Sequence, residues 1–506
     1  MEHRFRSVTQ AAALAALALF AATGRAGSAL ESSFAQARTV LARSIEAHGG
    51  ADRIERLEAA RLKLAGDIST GIQGPRPEAV SQSIKEGDFE TTVMIDLAKG
   101  RSRTDGDQRG YGGFTFPFSG VYKDGAVLFT QPFPPVLTKT AVADPDEGRE
   151  QTAGIGTRML PPLLLKLATR RLPTLRDEGT GILEGRAVRR ISFNADKNTR
   201  ITLSIDTESS RVVGLEQLAA DPLLGLDTTR WSYAGMQTID GLVLPESAQV
   251  QRRGITILKI RLVRAEFDAA AKIGDADFRI DPRYVLREDR PLEIAEVRPG
   301  LWEVSGAQNG NYRMQFVELK DRVVAYDAPV SPDTVKAMIA KLREKVPAKP
   351  ISQVVLSHFH NDHVDGVRAL AELGTQIVTS ADAAPVVLRI ARAPAPLTSV
   401  IDAPAPAVKL ITVDSQLDLG EPGRPLIVRI AAGGPHVNRL LVLHDVANKA
   451  VIASDSYSDV MPFNATYDWF ARWLRGVPDA ELMLGAHHPP TAVPAVYERQ
   501  AQYRRQ

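Results

Sequence analysis

From about residue 60 to residue 285 the chain is built of short runs in which β-branched or other apolar residues alternate with polar ones. Examples are "TTVMIDLAKGRSRTDG", "GVYKDGAVLFTQ", "RAVRRISFNAD", "TRITLSIDTESSRVVGLEQL" and "ITILKIRLVRAEFD". Gly, Asp or Asn interrupts each run where the chain must turn, so the stretch predicts successive antiparallel strands. Ahead of it, "SSFAQARTVLARSIEAHGGADRIERLEAARL" predicts a helix, a Gly-Gly break and a second short helix. Within it, "GIGTRMLPPLLLKLATRRL" predicts helix on either side of a proline pair. The sum is a large, curved antiparallel sheet with a few helices packed on it.

The pattern changes near 285–297, where "LREDRPLEIAEVRPG" carries several charges and two prolines. Beyond it strands alternate with helices. "GLWEVSG" reads as a strand, "MQFVELKDRVVAYDAP" as a hairpin, "SPDTVKAMIAKLREKV" as a helix and "ISQVVLS" as a buried strand. "DHVDGVRALAELG" then predicts a helix and "TQIVTS" another strand. The chain therefore divides into a β-rich domain over 30–290 and an α/β-patterned domain over 291–506, an α+β protein as a whole. The Ala/Pro-rich stretch 393–408 predicts an exposed loop.

Length supports more than one core, since 506 residues exceed what a single core usually organises. The opening "MEHRFRSVTQAAALAALALFAATGRAGSA" has a basic start, an apolar run too short to span a bilayer comfortably, and small residues near Ala29. That layout predicts a signal peptide over 1–29 and a periplasmic or secreted protein with no stable membrane span after its removal; an uncleaved anchor is the alternative. A formal net charge of +2 carries no nucleic-acid footprint. With no cysteine, thiol nucleophiles, Fe–S clusters and cysteine-ligated zinc are excluded.

Chemistry enters with "SHFHNDHVDG" at 357–366, which gathers three of the chain's 9 histidines within six positions. The motif follows an apolar strand, at the end where sites in α/β proteins gather. Imidazole and carboxylate suit Zn(II). His358 and His360 point the same way on an extended loop, while Asp362 and His363 can turn toward a second ion. Two ions sharing a hydroxide would use all four and need more. Three later strand ends each offer a ligand-type residue: His436 in "AAGGPHVNRLLVLHD", Asp455 in "KAVIASDSYSD", and His487 or His488 in "ELMLGAHHPPT". Any one of these alone is as easily a structural residue; His444, in mid-strand, reads as one.

These residues, in this order, resemble the H-x-H-x-D-H motif and later His, Asp and His of the metallo-β-lactamase-fold superfamily. The resemblance covers about 294–506 and implies an αββα sandwich with a dinuclear zinc site. His358, His360 and His436 would bind the first ion, Asp362, His363 and His487 the second, and Asp455 would bridge them. Two departures are Asp365, where the family usually has Gly, and "GAHHPP" in place of Gly-His-Gly. Alignment favours His487 over His488. Asp365 reads most simply as a favourable charge in the first turn of the following helix. More loosely, "EAHGG", the successive hairpins and "YAGMQTIDGLVLPESAQV" resemble the periplasmic lipoprotein-carrier family, which implies an unclosed, barrel-like antiparallel sheet over roughly 30–285; His48 there reads as a helix-end residue.

A zinc pair lowers the pKa of its bridging water toward neutrality, with Asp362 and Asp455 holding and orienting the hydroxide as the catalytic carboxylates. The expectation is an exported hydrolase attacking an activated carbonyl in an ester, lactone, thioester or lactam. Its substrate would be a small molecule, apolar if a cleft in the first domain delivers it, and not a nucleic acid. His360, where oxygen-reducing relatives carry Glu, favours zinc and hydrolysis. The alternative is a periplasmic lipid or lipoprotein carrier with a metal-binding module. Loops 305–312, 393–408 and 457–470 would line the pocket, with Tyr457 either a substrate contact or simply packed against the sheet.

Overall fold

A computed structural model describes residues 29–69, 73–80, 82–110, 114–132, 135–197, 199–221, 225–287, 290–393 and 406–505. The expected signal segment lies outside the described residues except for its last position. Most of the expected loop at 393–408 lies outside them as well.

The first half is one sheet of 14 strands. Its strands come from the expected hairpins, among them Gly87–Asp96 with Arg101–Gly110 and Phe114–Lys123 with Ala126–Pro132. All neighbours run antiparallel except the edge pair Val285–Leu286 and Pro135–Ala141. The opening strand Ala59–Ile68 pairs with the late strand Ile255–Phe267, so the two ends of this region meet in mid-sheet. One face alternates into a core shared with helices. Leu62, Leu64, Val93 and Ile95 from one half of the sheet, and Ile191, Phe193, Leu203 and Trp231 from the other, enclose Ala37, Leu41, Leu160, Leu163, Leu164 and Leu167. A sheet whose two halves pack on the same helices must curve around them. Its outer strands, Val285–Leu286 and Arg176–Leu183, do not pair with each other, so the sheet is open rather than a closed barrel.

The helices follow their sequence signals. Residues 29–47 form the first, and the Pro161–Pro162 pair separates Pro145–Arg158 from Pro161–Arg170 as expected. Proline disfavours helical geometry in the residue before it, which ends the first helix and starts the second. Asp144 caps the earlier one by accepting from the Asp146 N–H at 2.9 Å.

The second half is a sandwich of a seven-stranded and a six-stranded sheet. Alternation along each strand assigns its faces. Val317, Val324, Tyr326, Val355 and Val378 face Val428, Leu441, Leu443, Ile452 and Leu484 between the sheets. Their neighbours Phe316, Ala325, Val354 and Ile377 pack outward beneath helices Pro332–Arg343 and Ala384–Arg392. Val442, Val451 and Met483 do the same with Ala465–Leu474 and Val493–Tyr503. The order of layers is αββα, as the resemblance implied.

Two local expectations are corrected. The single helix expected over 362–374 is two, Asn361–Val364 and Val367–Glu372. The break is at Gly366, where an added Cβ would lie 2.2 Å from Val335 Cγ2 and 3.0 Å from the Ala328 carbonyl oxygen, an approach only glycine permits. Asp365 accordingly sits at the C-terminal end of the first short helix, buried, not in the first turn of a longer one. The stretch 457–470 is also only partly a loop, because Asn464 caps the helix beginning at Ala465.

Candidate metal centre

Each of the elements that ends in a ligand-type residue is an apolar strand, and all of those ends lie at one rim of the sandwich. Strand Ile351–Val355 leads into 357–363, Leu426–Ala432 into 433–438, Ala450–Ile452 into 453–458, and Leu482–Leu484 into 485–488. The strands are fixed by burial on both faces; the loops that follow need only present side chains.

All seven expected ligands meet there. They form two groups, His358, His360, His436 and Asp455, and Asp362, His363, Asp455 and His487; within each group the ligand atoms lie within 4.8 Å of one another. Asp455 belongs to both. Its Oδ2 lies 3.0 Å from His436 Nε2 and 3.7 Å from His358 Nε2. Its Oδ1 lies 2.9 Å from His487 Nε2 and 3.1 Å from His363 Nε2. Asp455 adopts φ 53°, left-handed backbone that costs a non-glycine residue free energy and aims its carboxylate into the cluster.

The donor set fits divalent ions. His358 Nε2, His360 Nδ1, His363 Nε2, His436 Nε2 and Asp455 Oδ1 are buried, yet none has a hydrogen-bond partner. Buried polar atoms are ordinarily satisfied, and these five, whose nearest charged neighbours are one another, suit a shared cation in each group. Two ligands held about 2.0 Å from a tetrahedral zinc lie about 3.3 Å apart, which matches these separations.

The opposite nitrogen of most of these rings is held. Ser357 Oγ lies 2.8 Å from His358 Nδ1, and Gly74 O accepts from His360 Nε2 at 2.8 Å. Asp327 Oδ2 accepts from His363 Nδ1 at 3.0 Å, with Ser454 Oγ at 2.9 Å from the same nitrogen. Asn311 O accepts from His487 Nδ1 at 3.0 Å. Such partners fix which nitrogen is free to ligate. His360 alone offers Nδ1, because its Nε2 is taken.

Electrostatics divide the cluster. Burial, then the neighbouring imidazoles, hold His358 well below its ordinary pKa, and burial with His436 brings His360 down to about 3. Burial also opposes charge on His487, but Asp455 and Asp362 outweigh it and raise that group to about 10. His363 is raised for the same reasons in the same order. Burial disfavours the charge of Asp362 and Asp455, yet the imidazoles hold both well below the usual carboxylate range. The second group is thus an imidazolium–carboxylate arrangement whose protons a divalent cation would displace.

His488 is not in either group; its Nδ1 faces Pro489 O at 2.8 Å and its ring packs edge-on against Tyr457. Tyr457 is buried, with its hydroxyl accepting from Arg499 at 3.2 Å, so packing is its role. His444 is a buried strand residue. Three neighbours of the centre were not singled out from the sequence. Tyr312, within a loop named as a pocket wall, donates its hydroxyl to Asp362 Oδ2 at 3.2 Å. Asp327 also accepts from the Ser357 N–H at 2.7 Å; it ends an apolar strand, the signal used for the ligands, and was legible on that ground. Gln73, whose side-chain amide donates to Asp362 Oδ1 at 2.8 Å, carries no sequence signal.

Residues 316–456 match the model of the metallo-beta-lactamase superfamily. Among curated proteins, a linear primary-alkylsulfatase from a Pseudomonas species is 34% identical over 79 residues, 16% of this chain and 11% of the relative. The chain thus spans about a tenth of that relative's length. Among solved structures, a metallo-β-lactamase from Hirschia baltica has 16% identity, covers 42% of this chain and 97% of its own, and has a TM-score of 0.34. A mono-zinc metallo-β-lactamase from Pseudomonas aeruginosa shows 18% identity, 42% and 95% coverage and a TM-score of 0.32. A stereoselective inverting sec-alkylsulfatase from a Pseudomonas species shows 15% identity, 42% coverage of both chains and a TM-score of 0.32. The family match over 316–456 falls on the sandwich and spans the residues from His358 to Asp455, so the likeness to the metallo-beta-lactamase superfamily lies in the part of the chain that carries the candidate metal centre.

Proposed function

We propose that the protein is a two-metal hydrolase, with zinc the metal its donors suit best, acting on a small ester-type substrate. The observation that carries this reading is the pair of ligand groups joined through Asp455, whose ligand atoms lie within 4.8 Å of one another in each group. His358, His360 and His436 would hold one ion, Asp362, His363 and His487 the other, and Asp455 both. Bound there, the ions would supply a nucleophile from water at neutral pH and polarise the bond under attack. The chain's own residues do the positioning. Asp455 sets the spacing of the two groups, Asp327 and Asn311 fix the rings of His363 and His487, and Tyr312 holds a phenol proton beside Asp362 Oδ2. Burial, followed by Asp362 and Asp455, pushes the Tyr312 pKa well up, so the hydroxyl remains a donor at neutral pH. That single proton is committed to Asp362 Oδ2, so Tyr312 acts by holding the carboxylate in place.

The ligand chemistry serves attack on an activated carbonyl or phosphorus centre, and of these the first reading is a carbonyl in an ester, lactone, thioester or lactam. A sulfate ester is a second reading, favoured by the short stretch shared with the linear primary-alkylsulfatase. Metal analysis and a substrate panel of aryl ester, lactone, β-lactam and alkyl sulfate, run on wild type, Asp455→Ala and His358→Ala, test both. About two zinc equivalents, lost together with turnover in the variants, are expected. A folded wild type that takes up no added zinc would overturn the hydrolase and return the chain to the carrier reading.

A further inference from the structure

The loop at 73–75 belongs to the first half of the chain, just after strand Ala59–Ile68, yet three successive residues of it touch the ligand loops of the second half. The Gln73 side-chain amide donates one hydrogen to Asp362 Oδ1 at 2.8 Å and the other to Asn361 Oδ1. The Gly74 carbonyl accepts from His360 Nε2 at 2.8 Å. The Pro75 carbonyl accepts from the Asn438 N–H at 2.8 Å, two residues after His436. One short segment therefore reaches a residue from each ligand group and the loop that carries a third ligand.

We infer that this loop is a working part of the metal centre and that Gln73 is a positioning residue, holding Asp362 so that Oδ2 alone faces the second ion. A carboxylate rotates about its last bond, and either oxygen can ligate. Oδ2 is the oxygen near His363 Nε2, at 3.3 Å, and near His487 Nε2, at 3.7 Å. Oδ1 is the one Gln73 occupies. With both amide hydrogens committed, Gln73 cannot turn away without leaving two acceptors unsatisfied, so the orientation is fixed from outside the sandwich. The first ion receives the parallel service from Gly74 O, which leaves His360 Nδ1 as the free ligand atom. Outer partners of this kind typically change metal affinity by about 10- to 100-fold when removed.

The inference rests on the two-metal reading, and its test separates the two. Full-length wild type, Gln73→Met and Gln73→Ala are stripped of metal and refilled with Zn(II). Zinc dissociation is then measured by competition with a chromophoric chelator, beside hydrolysis of an aryl ester. Methionine preserves the length of the side chain without its amide. Both variants should melt with the wild type when zinc-free and hold one equivalent at wild-type affinity. The other equivalent should bind about tenfold more weakly. Turnover at limiting zinc should fall in step and recover at saturating zinc, with KM unchanged. If the wild type binds two equivalents and hydrolyses the ester while both variants bind zinc as it does, the positioning role is overturned and the hydrolase stands. If the wild type binds none, both readings fall.

Discussion

Asp455 concentrates the demands on single residues. It must hold a backbone conformation that glycine, asparagine and aspartate tolerate and most other residues do not, and its two oxygens must serve different partners. Asp455→Asn separates these demands. Asparagine accepts the left-handed backbone, so the variant should fold and melt close to wild type when zinc-free. It has lost the carboxylate charge that serves both groups, so zinc content should drop below two equivalents and kcat by more than about a hundredfold, beyond what removing an outer partner costs. Thermal melting, metal analysis and steady-state kinetics on one preparation check this. The ligands themselves were legible because each sits at the end of an apolar strand or within one dense motif. Tyr312 and Asn311 were marked only as part of the stretch 305–312 expected to line the pocket, and Gln73 not at all, because what makes them part of the centre is a contact made only after folding.

At the level of strands and helices the periodic signals carried well, since alternation and capping are local properties. The helix at 362–374 misled because its pattern is continuous while its backbone must break at Gly366 to pass the Ala328 carbonyl. His48, following helix 29–47, shows a tie that periodicity does not reveal. Its buried ring donates through Nδ1 to Val243 O at 2.8 Å and accepts through Nε2 from the Val212 N–H at 2.9 Å, joining the helix to two strands. Accepting from the Val212 N–H requires the neutral ring, and burial, with help from Arg211, lowers the pKa from 6.5 to about 4 against the pull of the Val243 carbonyl. The unfolded chain therefore binds the extra proton first as pH falls. The stabilisation is whole above about pH 6.5, shrinks as pH drops toward 4, and amounts to about 3 kcal/mol at most. Urea melts of metal-stripped protein at pH 7.5 and pH 5 should show a larger loss for wild type than for His48→Gln; equal losses would refute the assignment.

Taken whole, the molecule is two sheet systems that meet at the metal centre, and the contacts of 73–75 make ion binding an event felt in both. Hydrogen exchange can read this directly. The Asn438 amide, bonded to Pro75 O, should exchange more slowly in zinc-loaded than in metal-stripped protein, together with the amides of 358–363. Protection confined to 358–363 would mean that the first half does not sense the ions. The change of pattern near 285–297 falls between Val285–Leu286 of the first sheet and Glu293–Arg298 of the second. The contact between the two halves was not legible in the sequence, because it joins residues far apart in the chain: Gln73, Gly74 and Pro75 with the ligand loops, and Gln131 with Asn311, whose amide donates to it at 3.2 Å.

That distance also bears on how the chain is made. Ribosomes deliver the segment 73–75 well before His358 to His363, and those before His487, so the brace is in the chain ahead of every ligand it will hold. A polypeptide released before His487 would hold one full set of donors and an incomplete second. On the two-metal reading, zinc stoichiometry would then report docking: a chain in which the segment 73–75 and the last ligand have not come together should hold fewer than two equivalents.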